Sequence, residues 1–172
     1  MKLVLHIGIE KTGTTLLQRW LYSNRGALQK AGIYLSDSLG GTNNRKIVAF
    51  FRAEPDDFWV LNCIRSHAEK QTFFSGFIEE LEREFEDAAN RHHTAIITSE
   101  HFHSRLTNAE ELDQLAEFCR NNFDEITVAC YLRPQWELRK SVFSTAAKSA
   151  CTTGFEKFLI DISDDDHYFN FK

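Results

Sequence analysis

The chain has 172 residues, 42% of them hydrophobic and 26% charged, with 20 Lys and Arg against 25 Asp and Glu for a formal net charge of −5. That length suits one globular domain with its own core, and the acidic excess argues against a broad nucleic-acid or anionic-membrane surface. With 15 Phe, 3 Trp and 2 Pro, aromatic side chains carry much of the apolar mass, and no segment has the simple composition of a disordered tail.

In chain order, KLVLHI at 2–7 is a short apolar run ending on Gly8, which reads as a buried parallel strand. Residues 14–30 read as one helix with Leu16, Leu17, Trp20, Leu21 and Leu28 near one stripe, terminated by Gly32. IYL at 33–35 is a second short strand. Residues 36–64 carry the weakest pattern: SLGGTNNR is a loop, KIVAFFRA a short helix, and Pro55 breaks the stretch after it. Residues 65–91 form a long helical pattern, with Phe74, Phe77, Ile78, Leu81 and Phe85 at helical spacing. TAIITS at 94–99 is a strand. Thr107 with Glu110 has the spacing of a capping box that opens a helix through Leu112, Leu115, Phe118 and Cys119. EITVACYL at 125–132 is another strand; Pro134 then stands at a helix start, that helix runs to about Ala150, and 154–162 is one more.

Strands that alternate with helices specify an α/β domain whose parallel sheet is covered on both faces. Ligands in such folds bind outside the carboxyl ends of strands, here near Gly8, Ser99 and Arg133. The apolar stretch before Gly8 is too short for a secretory leader, and no run approaches the ~20 residues of a membrane-spanning helix, so a cytoplasmic protein is expected. Cys63, Cys119, Cys130 and Cys151 lack metal-ligand spacing and read as small buried apolar residues.

Gly8-Ile9-Glu10-Lys11-Thr12-Gly13-Thr14-Thr15 joins the first strand to the first helix. Its glycines permit a tight turn, the unpaired N–H groups of the helix start attract an anion, and Lys11, Thr14 and Thr15 add a charge and hydroxyls. In the common nucleoside-triphosphate loop a lysine follows the second glycine; here Thr14 holds that position and Lys11 lies three residues earlier.

The run HIGIEKTGTTLLQ resembles the loop of sulfotransferases that use 3′-phosphoadenosine 5′-phosphosulfate (PAPS), in which a K-T-G-T-T type segment grips the 5′-phosphosulfate. The resemblance implies a three-layer α/β/α fold of the P-loop NTPase type, PAPS as co-substrate with no metal, and a nucleotide site that includes Lys11, Thr12, Gly13, Thr14 and Thr15. It extends to CYLRPQWELRKSVFS: in the family an arginine at a strand end and a serine eight residues later bind the 3′-phosphate, and Arg133 and Ser141 have that spacing. An arginine suits phosphate because its planar fork donates twice. Eight residues of pure helix span about 12 Å, so Arg133 and Ser141 meet only if the helix begins after a turn at Pro134 and Gln135.

Sulfuryl transfer also needs a group to take the proton of the acceptor hydroxyl or amine. The family places a Glu or His in the acceptor pocket. Here Glu100 is the first candidate and His101 the second, with strand alternation expected to turn only one of them into the site. Lys11 is assigned to the charge on the leaving oxygen. Two departures stand out. Glu10 occupies a position where the family often has proline, and the later segment that completes nucleotide and acceptor sites in longer members is missing from residues 1–172. The expected partner is a small-molecule or carbohydrate acceptor. A second copy or a partner protein that completes the site, a non-catalytic PAPS-binding module, and a P-loop kinase or nucleotide hydrolase are the alternatives.

Overall fold

The computed structural model describes residues 1–149, 152–161 and 167–169. Its centre is β1 (Lys2–Gly8), flanked by β3 (Thr94–Thr98) and β4 (Glu125–Cys130), with the two-residue β2 (Ile33–Tyr34) beyond β3. All pairings are parallel and the order is β2-β3-β1-β4. Parallel neighbours cannot be joined by tight hairpins, so each connection carries helices. The result is an α/β fold, consistent with the expected three layers.

Period-two alternation sends Leu3 and Leu5 of β1, with Ala95 and Ile97 of β3, into the main core. Aromatic side chains from α3 (Arg45–Phe51), α6 (Phe77–Ala89) and α8 (Ala109–Asn122) fill the space against them. Phe85 packs on Phe118 and Phe123 with ring centroids 6.4 and 5.0 Å apart, and Phe51 lies 5.9 Å from Phe118. The opposite parity of β1 and β3 carries the buried polar pair His6 and Thr98, joined at 2.8 Å.

Several expected boundaries move. The helix expected over 14–30 is two, α1 (Thr14–Ser23) and α2 (Arg25–Lys30). Asn24 separates them, its side-chain amide donating to the Trp20 carbonyl at 2.8 Å, a local alternative to the helical ladder that Asn readily takes. Gly32 does follow α2 as its terminator. The expected apolar stripe of α1 is buried only in part: Leu21 is buried as expected, but Leu16 and Trp20 are 75% and 55% exposed, and Thr14 and Gln18 are buried in their stead. The pattern over 65–91 divides into α5 (His67–Phe73) and α6, because Gly76 takes a left-handed conformation (φ 74°) that allows Phe74 and Phe77 to enter the same core. The capping box lies one residue later than expected. Asn108 Oδ1 accepts from the Glu111 N–H at 2.9 Å, and Glu111 accepts from the Asn108 N–H at 3.4 Å. Of the cysteines, Cys119 is buried but Cys63 and Cys130 are exposed; Cys151 lies outside the described residues. So do the closing aspartates 164–166.

The segment least legible in the sequence is held by polar contacts. Asn44 is fully buried; its amide donates to Tyr22 Oη at 2.7 Å and its carbonyl accepts from the Thr98 N–H at 2.8 Å. Arg45 pairs with Asp56 and, at 3.1 Å, with Asp57 at the start of α4 (Asp57–Leu61). β4 is an edge strand, with Val128 59% exposed and Leu132 beyond it 66% exposed. No helix of the described residues is long and apolar enough to cross a membrane.

Candidate functional site

The site begins where β1 stops. Gly8 has φ +95°, and a Cβ there would lie 2.6 Å from the Glu100 Cα. A side chain is therefore excluded, and the turn after β3 is free to press against the end of β1. On the other side Tyr131 donates its N–H to the Gly8 carbonyl at 2.9 Å, and Ile9 donates to the Tyr131 carbonyl at 3.2 Å. Three parallel strands thus deliver the 8–15 loop, the Glu100 turn and the 131–133 segment to one end of the sheet.

The loop leaves its donors unspent. α1 starts without a side-chain cap at Gly13, and the N–H groups of Lys11, Gly13, Thr14 and Thr15 have no protein acceptor among the described residues. These are the orphan donors of a helix start, aligned with the positive end of its dipole. Lys11 itself stands at φ +65°. The threonines divide in role. Thr12 Oγ1 donates inward to the Ile9 carbonyl at 2.6 Å and locks the turn, Thr14 is 4% exposed, and Thr15 is open to solvent.

Arg133 lies directly against this loop: its Nη1 donates to the Lys11 carbonyl at 2.9 Å. Residues 122 apart in sequence are thereby in contact. The guanidinium also sits 3.7 Å from Glu137, one turn into α9 (Gln135–Lys148), and Glu137 in turn pairs with Lys140. Ser141 is half-buried further along α9; its carbonyl accepts from Thr145 Oγ1 at 3.2 Å. Lys148 ends the helix in an exposed position. The Arg139 guanidinium lies over the Phe169 ring at 5.4 Å.

Clefts that share loop residues open around Lys11. One of about 460 Å³ is lined by Lys11, Thr12, Gly13, Tyr131, Leu132 and Arg133. It borders another of about 530 Å³ whose walls include Leu16, Trp20 and Tyr131. A smaller, polar one of about 200 Å³ runs the other way, between Glu10, Lys11, Thr14, Thr15, Glu100 and His101. Glu100 and His101 therefore face the same cleft, contrary to the alternation expected of a strand. The strand ends at Thr98, and Glu100 already has helical dihedrals (φ −66°, ψ −18°) at the start of α7 (His101–Arg105), where consecutive side chains no longer point to opposite faces.

Glu100 is oriented by Gln18, whose amide donates to its Oε2 at 2.6 Å. His101 stands between two carboxylates, with Nδ1 3.8 Å from Glu10 and Nε2 4.0 Å from Glu100. Burial holds the His101 pKa below its ordinary value of 6.5, reinforced by Arg45 and opposed by Glu100 and Glu10. His6 is likewise held low by burial, opposed by Glu100; its ring lies 5.3 Å from Tyr131. Glu10 accepts from Tyr168 Oη at 3.0 Å and does not line the cleft that Arg133 lines. Among the described residues no group of three His, Cys, Asp or Glu side chains is gathered for a metal ion.

Spacing marks the loop and Arg133 in the sequence, and position at a strand end marks Glu100 and His101. Gln18, Tyr131 and Tyr168 carry no such mark. A polar residue four places after Thr14 could have marked Gln18 as buried and bonded, but nothing near Tyr168 in sequence points to Glu10. No protein-family model, no curated protein and no solved structure matches this chain.

Proposed function

We propose that the chain is a PAPS-dependent sulfotransferase built on a P-loop-like site, with the two anionic ends of the nucleotide held by the 8–15 loop and by Arg133. The observation that carries this reading is the 2.9 Å hydrogen bond from Arg133 to the Lys11 carbonyl. It sets a bidentate cation beside an uncapped helix start, so one small molecule with two separated anionic groups can engage both. The unpaired N–H groups of Lys11, Gly13, Thr14 and Thr15 suit a tetrahedral anion. Tyr131 and Trp20 offer aromatic faces beside it for a base ring.

In this reading Lys11 stabilises the charge that develops on the bridging oxygen, the larger share of catalysis in transfers of this kind. Glu100 and His101 flank the path of an attacking nucleophile. Burial favours a neutral His101, which leaves its ring able to accept a proton.

The test is a thermal melt with a nucleotide panel. Adenosine 3′,5′-bisphosphate (PAP) at 100 times its Kd should add about 2.7 kcal/mol of stability. For a chain of this size that raises Tm by about 5–11 °C. ATP with magnesium should give less. An equal or larger shift with ATP overturns the sulfotransferase reading in favour of a triphosphate-dependent enzyme.

A further inference from the structure

α1 begins uncapped at Gly13, with the N–H groups of Lys11, Gly13, Thr14 and Thr15 unspent among the described residues. A helix start of this kind draws any carboxylate within reach, because an acidic side chain accepts its N–H groups and faces the positive end of its dipole. The chain carries such a carboxylate next door. Glu10 directly precedes Lys11, and both line the polar cleft of about 200 Å³ together with Gly13, Thr14 and Thr15. An attached group competes with an incoming ligand at high effective concentration. Yet Glu10 leaves the helix start open, because its carboxylate is bonded elsewhere.

The group that holds it lies far along the chain. Tyr168 Oη donates to Glu10 Oε2 at 3.0 Å, the only hydrogen bond to that carboxylate among the described residues. His101 Nδ1 stands 3.8 Å from Oε1, beyond hydrogen-bond range. Burial first, and then the charge of Glu10, hold the Tyr168 pKa above its ordinary value of 10, so the phenol keeps its proton and remains a donor. Both neighbours of Tyr168 are anchored. His167 Nε2 donates to the His103 carbonyl at 2.7 Å and its ring stacks on that of His103 at 5.2 Å, which ties the segment to α7. Phe169 is 4% exposed, packs with Ile9 and Leu138, and accepts on its carbonyl from Gln135 Nε2 at 2.7 Å, which ties it to α9. Three consecutive residues thus reach α7, the 8–15 loop and α9.

We propose that Tyr168 is a positioning residue for anion binding: it parks the Glu10 carboxylate away from the 8–15 loop, and when the 167–169 segment lets go, Glu10 takes the helix start itself and shuts the ligand out. The inference rests on the reading of that loop as an anion site. Two anions, one tethered and one free, compete for the same N–H groups and the same lysine. With Glu10 parked, a phosphate or sulfate meets Lys11 and the helix start unopposed. With Glu10 loose, the positive charge is already neutralised and a like charge has to be displaced. Docking of residues 167–169 selects between the two arrangements, and it biases them by no more than its own difference in free energy.

The experiment titrates the full chain with PAP and with inorganic sulfate, in the wild type, Tyr168→Phe, Glu10→Gln and the double variant. Tyr168→Phe removes one hydroxyl and should weaken PAP about fivefold or more, the scale of one hydrogen bond to a charged group. In the Glu10→Gln background the same change should cost less than about twofold, because no charge is left to misplace. The loss in Tyr168→Phe should also shrink as sodium chloride rises from about 0.02 to 0.5 M, as screening of a charge competition requires. Phe169→Leu, which loosens the same anchor, should weaken PAP with the same dependence on Glu10. Unchanged PAP affinity in both Tyr168→Phe and Phe169→Leu overturns the proposal. An equal loss with and without Glu10→Gln does so too, since a merely structural tyrosine would act alike in both backgrounds. PAP binding without this coupling keeps the nucleotide reading and refutes the positioning role. Sulfate binding that shows the coupling, without PAP binding, does the reverse. A wild type that binds neither anion overturns both.

Discussion

Arg133→Ala separates the two ends of the proposed nucleotide. In the free protein the guanidinium spends Nη1 on the Lys11 carbonyl at 2.9 Å and stands 3.7 Å from Glu137, its side chain 35% exposed. A charged hydrogen bond to phosphate is worth about 1.5–3 kcal/mol. The half-exposed pair with Glu137 is worth about 0–1 kcal/mol and is given up when the guanidinium turns to a phosphate. The net loss on truncation is therefore about 0.5–3 kcal/mol, a rise in the Kd for PAP of roughly 2–150-fold. Titration calorimetry with PAP and with adenosine 5′-phosphate measures it. Only PAP carries the 3′-phosphate, so only PAP should lose affinity to this extent. Unchanged PAP affinity, or an equal loss for both nucleotides, ends the assignment of Arg133 to the 3′ end. Glu137→Gln should move PAP affinity the other way by a small factor.

Gly8→Ala should cost about 2–5 kcal/mol in urea unfolding, from about 1–2 for the left-handed backbone and about 1–3 for a Cβ set 2.6 Å from the Glu100 Cα; a loss below about 1 kcal/mol would mean that the two strand ends are not in contact. Phe85→Ala, at a residue 2% exposed between Phe118 and Phe123, should cost about 3–5 kcal/mol, and a change under about 1 kcal/mol would contradict this aromatic core. His6, His101 and His103 are all held below 6.5 by burial, so the folded chain resists protons that the unfolded chain accepts. That contribution is complete above about pH 6.5 and is lost as the pH falls below it. The urea midpoint should drop between pH 7.5 and 5.5, with a shallower drop in His101→Gln; a constant or rising midpoint refutes the burial of these rings.

Residue order alone determined much of this protein. Apolar runs at 2–7, 94–99 and 125–132 separated by helical patterns leave a parallel α/β sheet as the consistent solution, because parallel strands need long crossovers. Glycine, lysine and threonine between the first strand and helix mark an anion loop, because their chemistry is local to that turn. Local signals failed where a distant contact decided. Nothing within α1 says that Thr14 and Gln18 face inward while Leu16 and Trp20 face out; that comes from Glu100, 82 residues away from Gln18, which accepts its amide. Alternation misplaced His101 because the strand had already turned. Asn24, Gly76 and Asn108 shifted helix ends by one hydrogen bond or one dihedral, choices that neighbouring propensities leave nearly balanced. Only the folded chain brought Arg133 to the Lys11 carbonyl and Tyr168 to Glu10, since contacts across 122 and 158 residues are set by sheet order and by where α9 leads the chain.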